Sequence, residues 1–172
     1  MLVSDLPPLW TALWFLVPVL PIGIWVAWSD MKFMKIPNIA VLAMAGAYLV
    51  IGPIALGLDL YLWGIALGLM TLVVGFVAST IRMVGAGDAK FAAAMAPYFA
   101  GTSLPMVFIL FAGCLLAAFA AHRLMRLIPA FRAATPDWQS WTHRKFPMGL
   151  ALSGTICFYF LLGLLISARI SP

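Results

Sequence analysis

The sequence contains no glutamate, only two cysteines, and charged side chains at 9% of its 172 positions. Each shortage excludes something. Cys114 and Cys157 lie inside separate apolar stretches, far from any second sulfur, so they form neither a disulfide framework nor a zinc-binding pair and read as packing residues. No cation precedes Lys32, so the first apolar run lacks the basic n-region of a secretory signal and is expected to be a retained span. The formal charge is +5, but the ten Lys and Arg fall between apolar runs rather than along one basic face. Nucleic acid is therefore not an expected partner. No repeat, low-complexity stretch or glycine-rich phosphate loop is present, and no metal or cofactor is expected.

What is abundant is apolar surface. Hydrophobic residues make up 65% of the chain, and the mean hydropathy is +1.11, too apolar for a soluble core to hide. The environment that fits is lipid. A span takes about 20 residues, and the apolar runs lie at Leu9–Trp28, Ile39–Leu58, Leu60–Ile81, a short Phe91–Ala100, Leu104–Ala121 and Met148–Ile166. The expected fold is all-α and polytopic, with about six transmembrane helices forming one integral membrane domain over residues 1–172. The fourth run is too short to cross alone and is expected to extend through Gly101, tilt, or sink within the bundle.

Nine of the ten cations share one side: Lys32, Lys35, Arg82, Lys90, Arg123, Arg126, Arg132, Arg144 and Lys145. The other side holds only Arg169. The positive-inside rule makes the charged side cytoplasmic and puts the amino terminus outside. In the longest connection, Thr135-Pro136-Asp137 reads as a helix start, with Trp138 and Trp141 on one face beside His143, Arg144 and Lys145. That pattern suits a short interfacial helix, with substrate docking as the other reading. Gly64 and Gly68, with Gly75 further along, form a small-residue face for close helix packing.

The acids are five aspartates. Asp5 lies in the terminal tail, Asp59 in an external turn and Asp137 in the basic loop, all positions where water or a cap satisfies the charge. Asp30 and Asp88 each sit where an apolar helix meets the charged side. Ionisable groups at that depth are costly and are usually paired or functional. Asp88 closes Gly85-Ala86-Gly87-Asp88 and is followed by Lys90, the glycines allowing unusual dihedrals and close approach of another backbone. Asp30 precedes Ile36-Pro37-Asn38, where Pro37 ends the first helix and Asn38 can cap the next.

Together these segments resemble the type IV prepilin leader peptidases, intramembrane aspartyl proteases with a Gly-x-Gly-Asp signature. In that family an Ile-Pro-Asn follows the first aspartate, and a lysine stands two places after the second. The resemblance assigns catalysis to Asp30 and Asp88, supported by Gly85, Gly87, Lys90, Pro37 and Asn38, and Phe146-Pro147-Met148-Gly149 resembles the entry to the family's last helix. It also implies pilin or pseudopilin precursors as substrates and residence in a bacterial inner membrane. The paired Cys-x-x-Cys motifs of larger, methylating members are missing, so the compact form associated with Flp, or tight-adherence, pili is implied, without methyl transfer. Presenilin-like relatives fit poorly because Ser29, not tyrosine, precedes Asp30. Two readings from other classes compete: a small proton- or cation-coupled transporter using the same aspartates, with Pro18 and Pro21 as a hint of broken helices, and a non-catalytic assembly subunit.

Overall fold

The computed structural model describes residues 5–170. Seven α-helices follow in order: α1 (Leu9–Phe33), α2 (Asn38–Ala55), α3 (Leu58–Thr80), α4 (Ala86–Met95), α5 (Leu104–Leu127), α6 (Pro129–Ala134) and α7 (Met148–Ile170). Short 3-10 turns cover Ala96–Phe99 and Gln139–Trp141. Five of the helices, α1, α2, α3, α5 and α7, are long and apolar enough to cross a membrane. The protein is an all-α, multi-pass membrane protein, with α4 as the short sixth segment of the expected set.

Several boundaries differ from the hydropathy reading. α1 continues through Asp30 to Phe33 instead of stopping at Trp28, because falling hydropathy marks the arrival of charge, not the loss of helical hydrogen bonds. α4 begins at Ala86, ahead of the apolar run at Phe91. It packs on α3 through the glycine face: a Cβ at Gly68 would meet Pro97 and the Ala93 carbonyl, and one at Gly75 would meet Ala89. α1 stays helical through Pro18 and Pro21, so the hint of a broken helix is not realised there.

The core joins α1, α2, the α4 region and α7 through aromatics. Phe15 stacks on Tyr48 at 5.8 Å and meets Tyr98 edge-on at 4.9 Å, while Phe160 closes the cluster. The phenols are satisfied in place, Tyr98 donating to the Met44 carbonyl at 2.7 Å and Tyr48 to the Tyr61 carbonyl at 3.1 Å. The flanks are the reverse: Phe76 on α3 and Leu116 on α5 remain about 70% exposed, apolar surface that lipid, not water, can cover. Gly64 lies where a Cβ would run into the Tyr48 hydroxyl and the Pro97 carbonyl, whereas nothing stands within 4 Å of a Cβ at Gly46. Gly64→Ala is therefore expected to destabilise the bundle by about 1–3 kcal/mol, as overpacking does, and to lower the melting temperature in detergent. Gly46→Ala should leave it unchanged.

The helices alternate in direction, so the two ends of the bundle can be told apart by contacts. At one end Thr11 donates to the Ala55 carbonyl at 3.0 Å and Ser103 to Asp5 at 3.0 Å. At the other, Ser29 donates to the Lys35 carbonyl at 2.9 Å and Lys32 pairs with Asp137 at 2.9 Å. That second end gathers nine of the ten cations, as the sequence pattern implies.

Candidate active site

Four helix ends, the last turn of α1 and the first turns of α2, α4 and α7, and one loop converge at the cation-bearing end. α1 finishes there because Met34 adopts a left-handed backbone, φ 52°, while its N–H still reaches the Asp30 carbonyl at 2.9 Å. For a residue with a side chain this conformation costs about 1–2 kcal/mol. The chain then turns at Pro37 into α2. Asp30 stands one turn before the end of α1, about 5% exposed. Its Oδ2 accepts the Gly149 N–H at 2.6 Å. Gly149 is in the first turn of α7, whose leading N–H groups have no partner within the helix, and the positive end of the helix dipole favours an anion there.

Asp88 comes from the first turn of α4, which starts after Gly85. It lines the same cavity as Asp30, a space of about 520 Å³ that also takes in Lys35, Asn38, Gly85, Gly87, Lys90, His143 and Lys145. The two carboxylates thus face one shared space from different helices. Asp88 lies outside the five long spans; burial pushes its carboxyl above the usual carboxylate range, and the Lys145 ammonium opposes that rise.

The supporting residues divide. Lys90 Nζ donates to Asn38 Oδ1 at 3.4 Å, tying α4 to α2 beside the cavity. Asn38 is the first residue of α2 and makes no cap hydrogen bond, so the capping role expected for it is not realised; Pro37 occupies the N-cap. Pro37 shapes the turn and does not line the cavity. Neither glycine of the Gly-Ala-Gly-Asp segment needs an unusual dihedral, since no described glycine has a positive φ. What matters is space. A Cβ at Gly85 would come 2.5 Å from Asp88 Oδ2, whereas one at Gly87 would make an ordinary 3.6 Å contact with Ile36. Lys32, which the sequence puts beside Asp30, is taken by Asp137 instead.

The connection before α7 also departs from expectation. Thr135 does not start a helix: its Oγ1 donates back to the Phe131 carbonyl at 2.8 Å, closing α6. Trp138 and Trp141 do share a face, stacked at 5.7 Å. Beyond them the chain brings His143, Lys145 and Phe146 to the carboxylates, a contribution that reading the segment as an interfacial anchor misses. Gly149 was legible only as part of a helix entry. Among the described residues, no three His, Cys, Asp or Glu side chains converge as a metal-binding group.

This arrangement offers two acids, a fixed backbone donor to one of them and nearby cations, in a partly open polar cavity at the end of an apolar bundle. Such a pair can hold one proton between two carboxyl groups and polarise a water or a carbonyl lying between them. No protein-family model, curated protein or solved structure matches the chain.

Proposed function

We propose that this chain is an intramembrane aspartyl endopeptidase of the prepilin leader peptidase kind, removing the leader of type IV or Flp pilin precursors at the cytoplasmic boundary of a bacterial inner membrane. The observation that carries the reading is that Asp30 and Asp88, on different helices, line one cavity at the cation-rich end. Two carboxylates facing one cavity cannot both ionise cheaply, so on this reading the pair shares a proton near neutral pH and titrates as a unit. One member takes a proton from water, the water attacks the scissile carbonyl, and the other donates to the carbonyl oxygen or the leaving amine. No covalent intermediate is needed. The Gly149 N–H keeps Asp30 oriented through that exchange.

A second feature supports a substrate with a membrane helix. The α4 face bearing Asp88 continues at helical spacing through Ala92 and Met95, with Phe99 following in the 3-10 turn, and the α7 face bearing Met148 continues through Leu152 and Thr155. These continuations line an apolar groove of about 570 Å³ bounded also by α3 and α5. The Thr155 hydroxyl is already spent on the Ala151 carbonyl at 2.8 Å. An apolar helix in this groove would direct its polar end toward the carboxylates.

Co-expression with candidate pilin precursors, read by gel shift, tests the reading: wild-type chain is expected to shorten a precursor. Proton or cation flux into vesicles holding the chain, with no precursor shortened, would replace it with the transporter reading. The continuous α1 and the position of both acids at the end of the bundle favour the peptidase.

A further inference from the structure

A second polar cavity, of about 770 Å³, lies between the end of α5, α6 and the 136–142 segment, apart from the carboxylates. Arg126 enters it from the last turn of α5 and Arg132 from α6. Neither guanidinium has an acidic partner among the described residues. The one carboxylate on the cavity wall, Asp137, is engaged by Lys32 at 2.9 Å, so it does not neutralise the arginines. Two indoles complete the wall. Trp138 and Trp141 stack at 5.7 Å with their planes 9° apart, and the Trp141 Nε1 is committed to the Thr135 carbonyl at 2.9 Å.

The cavity therefore combines two unpaired guanidinium groups with an aromatic wall, at the end of a transmembrane helix where headgroups lie. Guanidinium forks match the oxygens of a phosphate, and tryptophan prefers the boundary between acyl chain and water. Two cations facing one phosphodiester leave a surplus positive charge, which repels a choline ammonium and favours a headgroup of net negative charge. We propose that this cavity binds the phosphodiester of an anionic phospholipid, with Arg126 and Arg132 on the phosphate and Trp138, backed by the buried Trp141, against the glycerol and first methylenes.

The location gives the bound lipid a consequence. The segment that walls the cavity continues into His143, Lys145 and Phe146 beside Asp30 and Asp88, and Lys32–Asp137 pins it to α1 two residues past Asp30. A headgroup lodged there fixes the position of that segment. The site itself does not depend on the peptidase reading.

The test uses the full chain purified in neutral detergent, with bound lipid counted by native mass spectrometry and melting followed on addition of phosphatidylglycerol, phosphatidylcholine or inorganic phosphate. Wild type is expected to retain phosphatidylglycerol and gain melting temperature with it, and to do neither with phosphatidylcholine. Arg126→Gln/Arg132→Gln is expected to weaken phosphatidylglycerol binding at least about 10-fold, as losing two charge-assisted contacts should. Arg123→Gln is the control, an arginine on the same helix that stacks on Phe119 at 5.0 Å and does not line the cavity; it should bind as wild type does. Equal loss in the control and the double variant, or no loss in the double variant, overturns the site. Equal retention of phosphatidylcholine, or displacement of the lipid by inorganic phosphate at matching concentration, overturns the anionic-lipid assignment. Should the double variant fail to purify, Arg132→Gln alone, on the exposed α6, decides between the same outcomes.

Discussion

Asp30→Asn and Asp88→Asn, made separately, are each expected to slow leader removal by about 10³-fold or more, within the range that positioned acid–base groups supply. Asparagine keeps the size of the side chain and an oxygen able to accept the Gly149 N–H, so the contact at 2.6 Å has a replacement and the fold should persist. What is lost is the ability to take or give a proton. On the proposed mechanism the two carboxylates act as one proton-sharing unit, so the double variant should be scarcely worse than either single change; catalytic groups that work together are strongly non-additive. The measurement is a processing time course by gel shift, with the amount of each variant in the membrane fraction and its helical circular dichroism recorded alongside. Normal processing by either single variant, in a membrane containing it at wild-type level, ends the peptidase reading.

The fold class and the charged end were legible because they rest on composition and on where cations interrupt apolar runs. The span ends were less so. Hydropathy stops at charge, but helical hydrogen bonds do not, so the apolar runs end at Trp28 and resume at Phe91, and Asp30 and Asp88 read as lying at the helix margins when both are inside helices. Their placement on helices follows from tertiary packing: the glycines of α3 admit α4 at close range, and α4 can then start at Ala86 despite containing a glycine and an aspartate in its first turn. Asn38 and Thr135 show a related limit. Each fits a capping pattern locally, yet Asn38 accepts from Lys90 across the cavity and Thr135 closes the preceding helix. Local signals name what a side chain can do, and its neighbours in space decide among the options.

Gly149 marks the far edge of what the sequence reveals. Its bond to Asp30 joins residues 119 positions apart, and nothing near either residue announces the other. The structure makes the requirement for glycine concrete. A Cβ there would stand 2.9 Å from Asp30 Oδ2, 3.0 Å from its Cβ and 3.1 Å from its Cγ. Rotating the carboxylate away would relieve the first contact but not the second, since the Asp30 Cβ moves only with α1. Gly149→Ala is therefore expected to shift α1 against α7, lengthen the N–H contact and displace the carboxylate. A displacement approaching 1 Å costs about 10²-fold in rate, and the strain should cost about 1–3 kcal/mol in stability. Gly87→Ala provides the comparison at the same cavity, its added Cβ meeting nothing nearer than Ile36 at 3.6 Å, so processing should stay near wild type. The measurements are the processing rate and the melting temperature in detergent for both variants. Equal processing by the two would mean that Asp30 does not depend on its fit against α7; a large loss confined to Gly149→Ala would tie catalysis to a backbone donor that no side-chain motif contains.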